Sequence, residues 1–506
     1  MEIAKTYSRA LAGIDSIQVS VEIHLSRGLP NFFMVGLPET AVKESRERVR
    51  SAILTNRFEF PTKRITVNLA PADLPKEGGR YDLAIAIGIL AASGQVARDS
   101  LQHHEFIGEL SLTGDLRPVR GVLPSACTIN RTGRALVLPA QNAAEAGLID
   151  ELAVLPATHL QAVCTHLNGA GPLARFNNRE KLPRETKTYP DLSDVYSHHF
   201  ARRALEICAA GGHNLLMVGP PGSGKTMLAE RLPGLLPPMG EDDALATAAL
   251  HSVSAGGFRI GDWKQRPVRA PHHSASAVAV VGGGSHPRPG EVSLAHNGVL
   301  FLDELPEFNR AVLEALREPL EAGKISISRA AGQTEYPARF QLVAAMNPCP
   351  CGYHDDRSDR CRCTPEQVRR YRGKVSGPLL DRIDVHIEVP DISPDILERQ
   401  QDDRPESSAS VRRRVVCAWR RQLARAGKRN HLLDSGELDL YCRLDQAQTA
   451  LLRKAVNRLN LSTRGMHRIL RVARTVADLA ESATVEAEHL GEAISYRNSF
   501  AGAGSR

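Results

Sequence analysis

The eight residues Gly219-Pro-Pro-Gly-Ser-Gly-Lys-Thr226 constrain the fold more than anything else in this chain. They fit the pattern G-x-x-x-x-G-K-[ST] in full, and their flanks supply the context that gives the pattern meaning. Asn214 to Val218 reads as a short buried strand, and Met227 to Arg231 as the opening of a helix. A strand, a glycine-rich loop and a helix N-terminus together aim backbone N–H groups and a partial positive charge at one spot, which suits phosphate oxygens. The expected binding set is Gly219, Pro220, Pro221, Gly222, Ser223, Gly224, Lys225, Thr226 and Met227. Lys225 is placed to reach the β- and γ-phosphates of a nucleoside triphosphate, and Thr226 to hold Mg²⁺. The fold class this demands is α/β.

Further along, Gly298-Val-Leu-Phe-Leu-Asp303-Glu304 is an apolar run closed by two acids. It reads as a buried parallel strand with carboxylates at the edge where ligands sit in open α/β sheets. Asp303 is expected to serve Mg²⁺ and Glu304 to polarise an attacking water. Phe340 to Asn347 reads as another buried strand, its terminal amide placed for that water or the γ-phosphate. In Leu379-Leu-Asp-Arg382-Ile-Asp384, Arg382 suits an arginine finger. In Ser462-Thr-Arg464-Gly-Met-His-Arg468, Arg464 could reach the γ-phosphate of its own chain's site from the helical lid, with Arg468 one turn on as its rival. Plainer readings stand beside these. The acids could close a strand at the surface, Asn347 could be a turn residue before Pro348, and Arg382 could pair with Asp381 or Asp384.

A chain of 506 residues suits about three domains. The divisions read as 1–170, a linker at 171–195, an α/β block at 196–395, and a helical part at 405–500. The first part mixes strand-like and helical runs, the pattern of an α+β domain. No apolar run is long enough to span a bilayer, and the N-terminus lacks the basic and apolar regions of a secretory signal, so a cytoplasmic protein is expected. The nine cysteines then read as thiols or metal ligands. Four of them, Cys349, Cys351, Cys361 and Cys363, fall within fifteen residues. Four thiolates suit a structural Zn²⁺, which would order the polar loop between the pairs and steady Asn347; His354 could replace one ligand. Reduced free thiols are the plainer alternative. The formal net charge of +7 permits a polyanionic partner without requiring one. Val411 to Asn430 carries eight basic residues and no acid, with Val415, Trp419 and Leu423 on one helical face. That stretch reads as a lid helix with a solvated basic face, or as a contact for DNA phosphates.

The ordered set of phosphate loop, Asp303-Glu304, Asn347, Arg382 and Arg464 resembles an AAA+ ATPase. Ala209-Ala-Gly-Gly-His-Asn-Leu-Leu216, Arg269-Ala-Pro-His-His-Ser274 and Met346-Asn-Pro-Cys-Pro-Cys-Gly352 resemble the magnesium-chelatase-like branch, and within it the ComM/YifB competence-protein family. The resemblance covers almost the whole chain. It implies a homo-hexameric ring that binds ATP and Mg²⁺ between subunits, with Arg382 serving the neighbour's nucleotide and a C-terminal helical lid. It also implies a pore hairpin at Gly323 to Pro337, where Lys324 and Arg329 would meet DNA, and a second pore insert at Pro271 to Gly290. The activity implied is branch migration by a DNA helicase, on branched or single-stranded DNA, during natural transformation. A chelatase-type motor subunit for metal insertion into porphyrin is the alternative, and a protein-remodelling ATPase a third. One departure concerns Asp194-Val-Tyr-Ser-His-His199, where relatives carry a Gly-Gln pair near the adenine. The first part resembles the Lon protease (S5-like) fold through Gly78 to Ile87 and Phe106 to Gly121. The nucleophile and its lysine are missing, because Arg80-Tyr81-Asp82 and Val122-Leu123-Pro124 stand in their places, so peptidase activity is not expected.

Overall fold

The computed structural model describes residues 2–177, 187–196, 198–284, 287–329, 332–354, 360–391 and 405–497. Two compact units result, one of Met1–Glu185 with Glu241–Trp263, the other of Thr186–Gly240 with Lys264–Arg506.

In the first unit, alternating apolar residues produce a four-stranded sheet. Its strands are β1 (Ile3–Ala12), β2 (Asp15–Ser26), β3 (Asn31–Val35) and β4 (Arg64–Ala70), in the order β1-β2-β4-β3. Val19, Val21 and Ile23 of β2 and Ile65, Val67 and Leu69 of β4 share one buried face, as a period of two requires. That face receives α1 (Asp82–Ala92), every residue of which is buried. The approach is close: a Cβ at Gly88 would lie 2.6 Å from Ile23 Cγ1. A small parallel sheet of His104–Phe106, Ala135–Pro139 and Val154–Ala157 and the helix α2 (Val122–Asn130) also belong to this part.

The helix Glu241–Val253 lies in the middle of the α/β block in sequence, yet it packs in this first unit. Its Ala248 shares a small core with Leu123 and Leu148, and the Gly121 N–H donates to the Ser252 carbonyl (3.0 Å). Arg80 and Asp82 make structural contacts. Arg80 is buried and donates to Ser125 Oγ (2.9 Å), and Asp82 is buried in an ion pair with Arg48 (2.6 Å).

The second unit is built on a five-stranded parallel sheet of β5 (Leu215–Val218), β6 (Val268–Arg269), β7 (Val299–Leu302), β8 (Gln341–Met346) and β9 (Val385–Glu388), ordered β6-β7-β8-β5-β9. Strands β5, β7 and β8 are buried along their whole length, which is why they read as continuous apolar runs. Asn214 ties three strands at their entrance. Its N–H donates to Asp384 (2.9 Å), its Oδ1 accepts from the Leu342 N–H (2.8 Å), and its Nδ2 donates to the Arg382 carbonyl (3.2 Å). Helices α3 (His199–Gly211) and α4 (Lys225–Leu235) flank β5, and the short α5 (Arg317–Ala322) precedes the hairpin.

The longer C-terminal helices are α6 (Ser408–Ala426), α7 (Gln446–Leu459), α8 (Thr463–Leu479) and α9 (Ala487–Ser495). They share one core with the α/β block: Val411, Val415, Ile469 and Ala473 pack with Ala204, Cys208 and Leu228. The buried face of α6 is centred on Val411, Val415, Ala418 and Gln422, so Trp419 and Leu423 flank it. Several basic residues of the stretch Val411 to Asn430 are engaged internally, including Arg414 with Glu206 (2.6 Å), Arg425 with Asp478 (2.7 Å) and Lys428, just past the helix, with Glu437 (2.6 Å).

Residues 178–186 of the expected linker lie outside the described residues. Before them, Phe176 packs with the first unit; after them, Arg231 binds Asp194 (3.0 Å) in the second. The polar stretch 400–410 lies outside over 400–404. Among the described residues no helix is long and apolar enough to cross a membrane.

Candidate nucleotide site

Strand β5 delivers the chain into the phosphate loop, and α4 begins at Lys225. The loop needs its glycines. Gly222 and Gly224 have φ of +80° and +87°, and a Cβ at Gly219 would lie 2.1 Å from the Val389 carbonyl oxygen beyond β9. Lys225 is folded back onto the loop, its Nζ donating to the carbonyls of Gly219 (2.8 Å) and Pro220 (2.7 Å) and to Asn347 Oδ1 (3.3 Å). Burial lowers its pKa, with Asp303 pulling the other way. The Ser223 hydroxyl is buried without a partner. Thr226 Oγ1 donates to Asp303 Oδ2 (2.8 Å).

The strand order explains this convergence. Strand β8 is inserted between β5 and β7, so Asn347 at its end stands between the loop after β5 and the acids after β7. A nucleoside triphosphate with Mg²⁺ fits these residues. The orphaned Ser223 hydroxyl and the folded-back Lys225 cation face the loop, and a hydroxyl and a carboxylate already share one place. Lys225 would bind phosphate oxygens, and Thr226 with Asp303 would hold the metal.

Glu304 takes φ +51°, an unusual backbone conformation for a residue other than glycine. Its carboxylate is half exposed, 3.0 Å from His273 Nδ1. His273 belongs to the segment Pro271 to Gly290, for which the sequence suggested a pore insert and no contact with this site. The contact joins segments far apart in the chain, and no local pattern signals it. Next to the loop, His198 is buried and its Nε2 has no hydrogen-bond partner; it lies 3.7 Å from where a Cβ at Gly224 would be, with Met227 Cε at 3.1 Å. The segment flagged as a departure therefore does reach the loop, through His198.

Arg464, expected to reach this site from the lid, is not at this loop, and Arg382, expected to serve a neighbour's nucleotide, also lies away from it. Arg382 is buried, donating from Nη1 to the Pro378 carbonyl (2.6 Å) and from Nη2 to Glu321 Oε2 (2.8 Å). Its partner is Glu321, not Asp381 or Asp384. Arg464 Nη2 lies 3.2 Å from the other oxygen of Glu321, and its rival Arg468 is paired with Asp384.

The four cysteine sulfurs all lie within 4.8 Å of one another. Three separations are 3.3, 3.9 and 3.7 Å, close to the tetrahedral edge of roughly 3.8 Å that Zn–S bonds of ~2.3 Å imply. Backbone N–H groups of Tyr353 and Arg362 pull the Cys351 thiol down to about 6. For Cys363 the Cys351 backbone pulls down, but burial and the neighbouring thiols push it to about 11. A thiolate crowded by thiols is the donor set a soft divalent cation would complete, and the residues fit Zn²⁺. The cluster touches the phosphate loop: at Gly352 (φ +88°) a Cβ would lie 2.4 Å from Pro221 Cδ.

The hairpin strands Lys324–Arg329 and Gly332–Pro337 pair antiparallel, with Ile325 and Ile327 buried. Lys324 Nζ is held by Glu335 (2.9 Å), and the Arg329 side chain lies outside the described residues, as do residues 285 and 286 of the second insert.

Three family models match in succession: "Subunit ChlI of Mg-chelatase" over residues 21–142, "Magnesium chelatase, subunit ChlI" over 191–397, and "Magnesium chelatase, subunit ChlI C-terminal" over 405–497. Similar proteins include YifB of Salmonella typhimurium, 50% identical over 98% of this chain and 97% of its own length. Competence protein ComM of Haemophilus influenzae is also 50% identical, over 98% of both chains. The protein Mb2921c of Mycobacterium bovis is 42% identical over 99% of this chain and 100% of its own. With matches of this depth from end to end, the chain belongs to the magnesium chelatase subunit ChlI family, alongside ComM and YifB.

Proposed function

We propose that this protein is a hexameric, ATP- and Mg²⁺-dependent DNA motor of the cytoplasm that drives branch migration during the recombination step of natural transformation. The observation that supports it best is the division of the ATP site. Lys225, Thr226, Asp303 and Asn347 are gathered at the loop, while Arg382 and Arg464 are gathered away from it on Glu321. A site with its phosphate-binding half complete and its arginines elsewhere suits a heterologous ring interface, where each subunit completes its neighbour's site. In this reading Lys225 binds the β- and γ-phosphates, Thr226 and Asp303 hold Mg²⁺, Glu304 accepts a proton from the attacking water, and Asn347 orients that water. Arg382 and Arg464 from the next subunit meet the charge that develops at the γ-phosphate. The hairpin faces the polymer, and a structural Zn²⁺ on Cys349, Cys351, Cys361 and Cys363 braces Asn347 and the phosphate loop.

DNA as the polymer is supported by the name of the Haemophilus relative, a competence protein, and by the net positive charge. The test is ATPase activity with linear, forked and four-way DNA, alongside a junction-migration assay. Stimulation by branched DNA and loss of binding as salt rises are expected. A ring that neither binds nor moves a junction overturns the reading. The family match to a chelatase subunit favours a second reading, a motor for metal insertion into porphyrin. Stimulation by chelatase partner subunits, and none by DNA, would select it.

A further inference from the structure

One carboxylate holds both arginines assigned to the neighbour's nucleotide. Glu321 Oε2 accepts from Arg382 Nη2 at 2.8 Å, and its Oε1 lies 3.2 Å from Arg464 Nη2. The two guanidiniums come from different elements. Arg382 follows the turn Gly377–Leu380, and Arg464 sits in the first turn of α8. Glu321 stands in the last turn of α5, where the helix dipole disfavours a carboxylate, so its placement is not explained by helix stability. Burial raises its pKa, but Arg382 first and then Arg464 and Arg468 lower it further, so it is held ionised. Two guanidiniums brought side by side would repel each other; a carboxylate giving one oxygen to each lets them share one place. The neighbouring contacts stitch the same two elements together: Ser462 Oγ donates to Asp381 (3.3 Å), and Arg468 pairs with Asp384. Arg382 has little freedom of its own, being 5% exposed at the side chain with a buried Nε that lacks a partner, whereas Arg464 is 62% exposed.

We propose that Glu321 is the positioning residue of the arginine pair, holding Arg382 and Arg464 together as one doubly cationic unit for the γ-phosphate bound by the next subunit. The inference rests on the shared-site reading above. Glu321 touches neither nucleotide nor water and acts only through the two arginines. Glu321 is also two residues before Gly323 (φ +66°), from which the chain turns into the hairpin, so the arginine pair is anchored at the hairpin's root.

Subunit mixing tests this, using full-length Glu321→Ala and its isosteric partner Glu321→Gln. Each alone should stay folded, bind ATP with unchanged affinity, and lose turnover by a factor approaching that of Arg382→Ala, so that kcat falls while KM holds. Mixed one to one with Lys225→Ala, Glu321→Ala should regain activity. Its intact phosphate loop then meets the intact arginines of its neighbour at about a quarter of the interfaces of a randomly mixed ring. Mixed with Arg382→Ala it should regain nothing, because both defects lie on the same side of the interface. A residue needed only for folding would be rescued by neither partner. Recovery with Arg382→Ala, no recovery with Lys225→Ala, or turnover at or above wild type for Glu321→Gln overturns the proposal. The control pair, Lys225→Ala with Arg382→Ala, isolates the shared site itself. If that pair does not complement, the ring reading fails first, and the role of Glu321 falls with it.

Discussion

A lysine ammonium that is mostly buried and bonded to the carbonyls of its own loop is a cation waiting for an anion. Lys225 is in that position, and removing it takes away the charge proposed to meet the phosphates. Lys225→Ala should abolish ATP binding in a fluorescent-nucleotide titration. The role proposed for Glu304 is different. Its backbone is in a left-handed conformation, and its carboxylate lies 3.0 Å from His273 Nδ1. Glu304→Gln should bind ATP normally and lose about 10²-fold or more in turnover, because the amide cannot take the water's proton. Retained turnover in either variant would show that the site is elsewhere. These residues were legible in the sequence because each is fixed by a local rule: a glycine pattern, or polar residues closing an apolar strand. His273 on Glu304 and Glu321 between its arginines were not, since both contacts depend on how segments far apart in sequence fold back on one another.

At the scale of elements, the cysteine loop is the clearest case of a short segment acting on the site beside it. It begins two residues after Asn347, Arg372 donates to the Pro348 carbonyl (2.9 Å), and Gly352 packs its bare Cα against the ring of Pro221. Gly352→Ala would force a Cβ into that ring at a positive φ. It should cost roughly 1–3 kcal/mol and loosen the phosphate loop. The expected readouts are a lower melting temperature and ATP affinity weakened by about tenfold, a change of ~1.4 kcal/mol. Wild-type values for both would mean that the contact carries no load. The same geometry predicts one zinc per chain by elemental analysis, and weaker ATP binding when a chelator strips it. Absence of zinc from freshly purified protein would refute the assignment. The cluster was legible from spacing alone, and so was the parallel α/β sheet. The helix Glu241–Val253 was not legible as part of the first unit. Its buried positions Ala244, Thr247, Ala248 and Leu250 say that one face is covered, but not by which part of the chain.

Over the whole molecule, titratable burial is unevenly divided, and this gives the second unit its own response to acid. His213 and His296 are held near 4, and His386 and His431 near 3, in each case chiefly by burial, which disfavours the imidazolium. Nearby cations add to it: Arg339 at His296, Arg497 at His386 and Arg429 at His431; at His213 the facing Asp384 opposes the shift. An unfolded chain would protonate each of these near 6.5. Below that pH the unfolded state binds protons that the folded state refuses, so stability is complete above about 6.5 and declines as the pH falls toward 4. At pH 5 each group should cost up to about 2 kcal/mol relative to pH 7, which is large against the marginal stability of a domain. All four lie in the second unit; the first has His104 and His166, both lowered by burial but facing each other across 3.2 Å at its edge. Calorimetry from pH 7 to 5 should therefore show the transition that carries the nucleotide site falling steeply, identified by its upward shift when ATP and Mg²⁺ are added. His213→Gln, which keeps a polar partner for Thr475, should flatten that slope by removing one of the four groups. A midpoint independent of pH across this window would show that the buried imidazoles do not govern the stability of the unit.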